Sequence, residues 1–287
     1  MKYIFGNQKM NLSAEQAEKF IVDFCKSKEI ADDYWNIKNK NIDYKGKEFK
    51  RFEGLVKKRD KKQIKPIFDD LFDVVVFPSL FNLQQMQQKA IKLNKRIGFG
   101  VQNCYFMDEG AYTGEISASQ LSDVAEFVLV GHSERRRIFK ETDEIVNLKV
   151  KSVIENGMTA VLCVGETARE REDGKTKDVI KRQLKDGLKD LDLKKLNNDF
   201  ILQKIIVAYE PVWSVGSDKI PTTKEISKII NFIHKKTSAK VLYGGSVDIE
   251  NTAEIISIKG VDGLLVGRAS TNAQKFATIV SIAREGK

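Results

Sequence analysis

Eight short apolar runs, rich in β-branched residues and separated by helical patterns, constrain the fold of this chain more than any other feature. Most of them are continuously apolar, which is typical of parallel strands buried on both faces. The runs are Tyr3–Phe5, Val74–Phe77, Ile97–Val101, Phe127–Val130, Ala160–Val164, Ile205–Tyr209, Val241–Tyr243 and Gly263–Val266. Because strands alternate with helices, the pattern predicts a parallel sheet with crossover helices.

Eight strand–helix units in 287 residues predict an α/β fold, a closed (β/α)8 barrel, with residues 1–287 forming a single domain. A doubly wound open sheet is the structural alternative. It would favour a glycine-rich turn after the first strand, and Gly6-Asn7-Gln8-Lys9 is not such a turn. Ser13-Ala14-Glu15-Gln16 and Thr222-Thr223-Lys224-Glu225 are capping boxes that predict where two of the helices begin.

One connection is much longer than the others. Residues 30–66, between the first helix and the second strand, are rich in Lys and Asn, and we interpret them as a basic insertion. Residues 26–66 carry 14 Lys or Arg against 7 Asp or Glu, whereas the whole chain has 49 against 40. Lysine outnumbers arginine 38 to 11. Because arginine is the usual reader of base edges, this charge favours a solvated surface over a nucleic-acid partner.

Composition excludes several classes of protein. Apolar residues make up 41% and charged residues 31% of the chain, which is typical of a folded globular protein. No apolar run approaches the roughly 18 residues that a membrane helix needs, and the chain start does not resemble a secretory signal. We therefore expect a cytoplasmic protein with no membrane partner. Three scattered cysteines and two histidines lead us to expect no metal site.

The loops that follow the strands carry the chemistry in a barrel of this kind. Asn7 and Lys9 follow the first strand, and a lysine there can hold an anionic substrate. His132 follows the fourth strand, where the N-terminus of the next helix would lower the pKa of the imidazole. Glu210 closes the sixth strand and precedes Pro211. We interpret it as a general base whose pKa burial raises, and a salt-bridged barrel rim is the structural alternative.

Two glycine-rich turns complete the predicted mouth of the barrel. Gly244-Gly245-Ser246 follows the seventh strand, and Gly267-Arg268 follows the eighth. Barrels commonly bind phosphate at these two turns through backbone N–H groups. A carboxylate base, a neutral imidazole, a cation and a phosphate cradle together predict proton abstraction beside the carbonyl of a small phosphorylated substrate, through an enediolate.

Seven motifs, spread over the chain except for about residues 28–68, resemble the triosephosphate isomerase family and occur in its order. They are Asn7-x-Lys9-Met10-Asn11, Gln102-Asn103, Gly110-Ala111-Tyr112-Thr113-Gly114-Glu115-Ile116-Ser117, Val130-Gly131-His132-Ser133-Glu134-Arg135-Arg136, Ala208-Tyr209-Glu210-Pro211-Val212-Trp213, Tyr243-Gly244-Gly245-Ser246-Val247 and Gly263-x-Leu265-Val266-Gly267. The resemblance implies a TIM barrel that interconverts dihydroxyacetone phosphate and D-glyceraldehyde 3-phosphate, in glycolysis and gluconeogenesis, without a cofactor.

The same resemblance implies individual roles. Glu210 would move the carbon-bound proton, and His132 would polarise the carbonyl as a neutral electrophile. Lys9 would be the third catalytic residue, because it would bind the substrate and, with Asn7, stabilise the enediolate. The other substrate-binding residues would be Asn7, Gly216, Ser246, Gly267 and Arg268, and the supporting residues would be Ser133, Glu134, Tyr209 and Tyr243. Residues 211–221 would close over the site as a lid. Family members are usually homodimers, in which Thr113 on the loop around residues 103–116 would reach the partner's site.

Three positions depart from the family pattern. Gln8 stands where the family usually has Trp, and Asp218 replaces a common lid glycine, which adds charge and removes backbone freedom there. Arg268 stands where a second glycine is frequent, and its backbone N–H keeps its role if the local φ is negative. The insertion is unmatched.

Two other functions stay open on the sequence alone. A Schiff-base aldolase of the same barrel class would need a lysine inside a strand near the mouth, and the predicted strand interiors contain none. A non-catalytic binding role is the third hypothesis, in which the basic insertion captures a nucleic acid or a surface polyanion.

Overall fold

A closed barrel of eight parallel strands forms the centre of the molecule. The computed structural model describes residues 2–31, 73–93, 95, 97–191, 204–217 and 219–286. The strands follow one another around the barrel in chain order, and the eighth pairs with the first. They are β1 (Tyr3–Asn7), β2 (Val74–Phe77), β3 (Gly98–Val101), β4 (Phe127–Val130), β5 (Thr159–Val164), β6 (Ile205–Tyr209), β7 (Lys240–Tyr243) and β8 (Gly263–Val266). The predicted (β/α)8 barrel is confirmed, and ring closure rules out the open doubly wound sheet.

Helices form a layer outside the barrel. Those in the described residues are α1 (Ala14–Lys26), α2 (Lys28–Ala31), α3 (Leu80–Lys92), α4 (Ala118–Leu121), α5 (Ser133–Ile138), α6 (Asp143–Glu155), α7 (Ala168–Glu172), α8 (Thr176–Gly187), α9 (Thr223–His234), α10 (Ile249–Ser257) and α11 (Ala273–Glu285), with a 3-10 helix over Arg268–Thr271. Both predicted capping boxes form. The side chains of Ser13 and Thr222 accept hydrogen bonds from the third residue of α1 and of α9.

The core has two layers because each strand alternates its side chains between the barrel interior and the helices. Inside the barrel, Phe5 packs edge-on against Phe127 with 5.2 Å between ring centroids. Outside it, Phe24 of α1 stacks on Phe276 of α11, also at 5.2 Å. Burying one such ring stabilises a fold by roughly 1.5–3 kcal/mol, so these layers hold the strand ends in fixed positions.

Only the start of the predicted basic insertion lies in the described part of the chain. Residues 30–66 begin at the end of α2, where Ile30 is buried, and residues 32–66 lie outside the described residues. No described helix is long and apolar enough to cross a membrane. The described residues also hold no group of three or more His, Cys, Asp or Glu side chains arranged to bind a metal ion.

Candidate active site

Glu210 and His132 meet at the C-terminal rim of the barrel. Glu210 directly follows β6 and is 2% exposed, and His132 follows β4 two positions along and is 5% exposed. Oε1 of Glu210 lies 2.9 Å from Nε2 of His132. The backbone N–H of Ser133 donates to Oε2 of Glu210 at 3.0 Å. The structure thus brings together the predicted base, the predicted electrophile and the first residue of α5.

The hydrogen bonds of His132 define its tautomer. His132 is the N-cap of α5, and its Nδ1 accepts the backbone N–H of Glu134 at 3.2 Å. An imidazole nitrogen that accepts a hydrogen bond carries no proton, so the network assigns the proton to Nε2, which donates to Glu210. This arrangement is that of a neutral imidazole whose N–H points at an oxygen acceptor.

The pKa values of the pair run opposite to what the sequence predicted. Burial raises the pKa of Glu210, but His132, the Ser133 N–H and Lys9 lower it, and the net direction is downward. Burial lowers the pKa of His132, but the carboxylates of Glu210 and Glu134 raise it, and the net direction is upward. Both predicted directions are wrong for this conformation because the 2.9 Å contact and the neighbouring charges and hydrogen bonds together outweigh burial.

Lys9 has an unusual backbone conformation, and its side chain is paired with a carboxylate. Its φ is +52°, a left-handed conformation that is uncommon outside glycine. The ammonium lies 2.6 Å from Oε1 of Glu134, and the Lys9 N–H donates to Oδ1 of Asn7 at 3.0 Å. Gln102, for which no individual role was predicted, donates from Nε2 to the carbonyl oxygens of Lys9 at 2.8 Å and Phe77 at 3.0 Å. A polar side chain just after β3 was the signal that could have identified it.

The predicted phosphate-binding turns lie around the same rim. The Ser246 hydroxyl is within hydrogen-bond distance of the carbonyl oxygens of Ser214, at 2.6 Å, and Ser217, at 3.0 Å. A Cβ on Gly267 would lie 3.9 Å from Cε of Lys9, so this turn faces the lysine. Gly216 has φ +71°, which favours glycine. The turn after β7 therefore contacts the predicted lid, and the turn after β8 lies beside the cation.

The departures from the family pattern have different consequences. Arg268 starts the 3-10 helix, and its side chain is exposed. Its φ is not positive, which is the backbone conformation required for its N–H to keep the predicted phosphate-binding role. Gln8 is buried, donates from Nε2 to the Ser270 carbonyl at 3.3 Å, and leaves its Oε1 without a partner among the described residues. Asp218 lies outside the described residues.

A second buried carboxylate at this rim, Glu166, was not predicted as a site residue from the sequence. It follows β5 and accepts a hydrogen bond from Nε1 of Trp213 at 2.8 Å, and the Tyr209 hydroxyl lies 3.3 Å from both of its oxygens. Burial raises its pKa, and the bonds from Trp213 and Tyr209 oppose that change without reversing it. The signal was available, because Gly165-Glu166 stands after β5 just as Glu210 stands after β6.

The remaining predicted residues take supporting or outlying positions. Tyr243 is fully buried, and a Cβ on Gly245 would lie 2.2 Å from its hydroxyl, so the glycine makes room for the tyrosine. Thr113 lies on an exposed loop. Within one chain, the structure does not bring Thr113 to Lys9 or Glu210 by any described contact.

A carboxylate paired with an imidazole, with a lysine and glycine turns on the same rim of a (β/α)8 barrel, is an arrangement suited to moving protons on a small anionic substrate. Aldose–ketose isomerases are a class of enzymes with this chemistry, and the comparisons with known proteins place the chain among them. A family model described as triosephosphate isomerase matches residues 35–283.

Individual relatives agree with the family match. The triosephosphate isomerase of Mycoplasmopsis pulmonis is 37% identical over 281 residues, which is 97% of this chain and 96% of that protein. That of Chloroherpeton thalassium is 40% identical over 211 residues, 70% of this chain and 79% of that protein. The crystal structure of triosephosphate isomerase from Bartonella henselae has a TM-score of 0.72 and 30% identity, covering 99% of both chains. This chain belongs to the triosephosphate isomerase family and is an isomerase.

Proposed function

We propose that the chain interconverts dihydroxyacetone phosphate and D-glyceraldehyde 3-phosphate through an enediolate, with Glu210 as the base and His132 as the electrophile. The observation that carries the proposal is the 2.9 Å contact between Oε1 of Glu210 and Nε2 of His132. The contact supports the proposal because it places the carboxylate of Glu210 and the N–H of His132 at one point of the rim, where a hydroxycarbonyl substrate would insert between them.

The proposed steps conserve protons and electrons within the substrate and two side chains. Glu210 takes the proton from carbon 1 of dihydroxyacetone phosphate, and the electron pair of that C–H bond forms the enediolate double bond. His132 donates Nε2–H to the carbonyl oxygen and later takes the proton of the neighbouring hydroxyl. Glu210 returns its proton to carbon 2, which gives D-glyceraldehyde 3-phosphate. The Glu134 N–H on Nδ1 supports this role because it keeps the proton on Nε2.

Substrate charge is balanced by Lys9 and by backbone N–H groups in this proposal. Lys9 would attract the phosphate and stabilise the enediolate oxygens, and its pairing with Glu134 fixes the ammonium. Gly216, Ser246, Gly267 and Arg268 would supply backbone N–H groups to the phosphate, with Asn7 beside the reacting carbons. The closeness of the turn after β8 to Lys9 supports this division of labour.

Residues 211–217 and 219–221 form the lid of the proposed mechanism. The Val212 N–H donates to the Glu166 carbonyl at 3.0 Å, and the Ser246 hydroxyl contacts two lid carbonyls. These contacts tie the lid to the loops after β5 and β7. When the lid re-seats over substrate, Glu210, whose strand end leads into it, would leave Ser133 and reach the substrate carbon.

We also propose a homodimer, in which the loop bearing Thr113 covers the partner's rim. Met10, next to Lys9, is 94% exposed, and Phe81 at the start of α3 is 84% exposed. Asn82 donates to the Leu12 carbonyl at 2.9 Å, which brings the start of α3 beside the Met10 turn. Two large apolar side chains on one rim support a covering partner, since such groups rarely stay in water together.

We place the reaction in glycolysis and gluconeogenesis, in the cytoplasm. Both proposed triose phosphates are intermediates of those routes. The three cysteines of the chain, Cys25, Cys104 and Cys163, are free and buried, which supports a reducing compartment.

A Schiff-base aldolase is disfavoured on the described strands. Their one lysine is Lys240, which is exposed at the first position of β7, at the end of the barrel opposite the proposed site. A Schiff base would need a lysine whose amine is desolvated at the mouth.

Turnover of D-glyceraldehyde 3-phosphate in a coupled assay tests the proposed function, with protein purified from a host that lacks its own isomerase. We expect the wild-type chain to approach the diffusional ceiling of about 10⁸ M⁻¹s⁻¹ in kcat/KM. Glu210→Gln should lower kcat by about 10³-fold or more, whereas Glu254→Gln, at an exposed position of α10, should leave it unchanged. A folded Glu210→Gln variant with near wild-type kcat would remove Glu210 from the base role.

A further inference from the structure

Arg171 of α7 contacts structural elements at both ends of the lid. Its guanidinium carbon lies 3.7 Å from the centroid of the Trp213 ring, at the N-terminal end. Its Nη2 donates to Oε1 of Glu225 at 2.7 Å, just beyond the C-terminal end. One planar side chain therefore contacts a residue near the start of the lid and a residue just beyond its end.

At the N-terminal end, Trp213 is fixed on two sides. Its indole N–H donates to Glu166, and its ring face stacks on the Arg171 guanidinium. A guanidinium stacked on an indole gains cation–π energy only while the two planes stay in contact. Release of the lid therefore has to break the stack as well as the hydrogen bond.

At the C-terminal end, Glu225 holds the first residue after the lid. Oε2 of Glu225 accepts both the N–H and the hydroxyl of Thr222, the residue directly after the lid, at 2.8 Å. The Thr222 bonds, and then Arg171, hold the pKa of Glu225 below its usual range. The carboxylate is therefore ionised at neutral pH. Its Oε2 binds Thr222, and its Oε1 binds Arg171.

We propose that Arg171 is a positioning residue that couples the two ends of the lid, so that the Trp213 end and the Thr222 end release and re-seat together. The inference rests on the lid proposed above. The geometry of arginine matters to it, because a planar fork can lie flat on an indole and reach a carboxylate at the same time, whereas an ammonium cannot.

The coupling does not depend on the strength of the ion pair. The side chain of Arg171 is 37% exposed and that of Glu225 is 46% exposed, and exposed pairs contribute little to folding. Variants at Arg171 should therefore keep nearly the wild-type Tm. A change in lid motion in such a variant cannot be attributed to general unfolding.

Exchange rates measured at the two ends test the proposal. The chain has two tryptophans, so a Trp35→Phe background labelled with 5-fluorotryptophan reports on Trp213 alone. A ¹³C-methyl label on the exposed Ile220 reports on the other end. Relaxation dispersion is recorded with sub-saturating sn-glycerol 3-phosphate, an unreactive triose phosphate analogue.

We expect one common exchange rate at both ends in the parent protein and in Arg169→Gln, an exposed arginine on the same helix. In Arg171→Gln, the Trp213 end should exchange about fivefold faster than the Ile220 end, and kcat should fall several-fold with KM less affected. Arg171→Lys should behave like Arg171→Gln.

Three results would overturn the coupling by Arg171. Equal exchange rates at both ends in Arg171→Gln would mean that the two ends of the lid move together without Arg171. Full rescue by Arg171→Lys would mean that only the positive charge of the side chain matters. Absence of exchange in the parent protein with the analogue bound would remove the lid itself, and with it the inference. Isomerase turnover in the same samples separates that failure from loss of the enzyme's activity.

Discussion

Glu210 and His132 are hydrogen-bonded to each other, with 2.9 Å between Oε1 and Nε2, although the proposed reaction needs both to contact the substrate. A substrate must therefore break this pair before Glu210 can take a proton. The pair also decides the protonation of His132. Burial alone would lower the pKa of the imidazole, and the neighbouring carboxylates reverse that direction.

The first prediction concerns the pKa of His132. In the wild-type protein it lies above the ordinary value of 6.5, so the imidazole gains its proton as pH falls through that raised value. Glu210→Gln should bring the pKa below the wild-type value, because burial then acts with less opposition. Imidazole ¹⁵N shifts against pH measure it, with His234, the other histidine, as internal reference. An unchanged His132 titration in the variant would refute the assigned contact.

The second prediction concerns Gly165, which lets the end of β5 pass close to Glu210. A Cβ at this position would lie 1.8 Å from the carbonyl oxygen of Glu210. Gly165→Ala should therefore displace the Glu210 backbone, lower stability by about 1–3 kcal/mol and lower kcat. Gly187→Ala is the control, since its Cβ would make an ordinary 3.5 Å contact with Leu162. Calorimetry and turnover measure both effects, and wild-type values for Gly165→Ala would contradict the close approach.

The barrel could be predicted from the sequence because parallel strands buried on both faces leave a direct record, namely short continuous apolar runs. Each of the eight runs overlaps an observed strand. The same apolar runs also predicted that Lys9, His132 and Glu210 lie on the rim, since each residue stands just after a strand. A position after a strand is local information, and it is enough to place a side chain on the rim.

The contacts between rim residues could not be predicted in the same way. The net pKa directions of Glu210 and His132 depend on a competition between burial and the charges and hydrogen bonds around the pair, including their 2.9 Å contact. The spacing of residues along the chain gives no information about these distances. The bond from Trp213 to Glu166 joins residues 47 positions apart. Residues 32–66 of the basic insertion lie outside the described residues, so their role stays a prediction.

The third prediction concerns the proposed dimer. The wild-type protein should have twice the 32.6 kDa mass of one chain in light scattering. Phe81→Lys places a charge on an 84% exposed aromatic position of the proposed interface and should shift the mass toward one chain and lower turnover. Ile91→Lys, on the same helix and 58% exposed, is the matched control. A Phe81→Lys variant that stays dimeric and active would place the interface elsewhere.

The fourth prediction concerns Arg136, which braces the turn before His132. Its Nε donates to the Gly131 carbonyl at 2.7 Å, and its Nη1 lies 2.6 Å from Oδ1 of Asp143. Gly131 has φ +68°, which favours glycine, and the bond to its carbonyl restrains the turn that leads into His132. Arg136→Gln removes one of the two arginine partners of the largely buried Asp143, which keeps Arg182 at 3.1 Å from its Oδ2. Loss of that charge-assisted hydrogen bond should cost about 1.5–3 kcal/mol of stability.

The same substitution should lower kcat more than it raises KM, because His132 loses its orientation while the substrate-binding turns remain. Arg137→Gln, one position along and exposed, should change neither quantity. Chemical unfolding and steady-state kinetics measure both effects on the two variants. If Arg136→Gln lost stability but kept the wild-type kcat at a temperature where it is folded, the brace would be structural only, and the orientation of His132 would depend on the Glu134 N–H and on Glu210 instead.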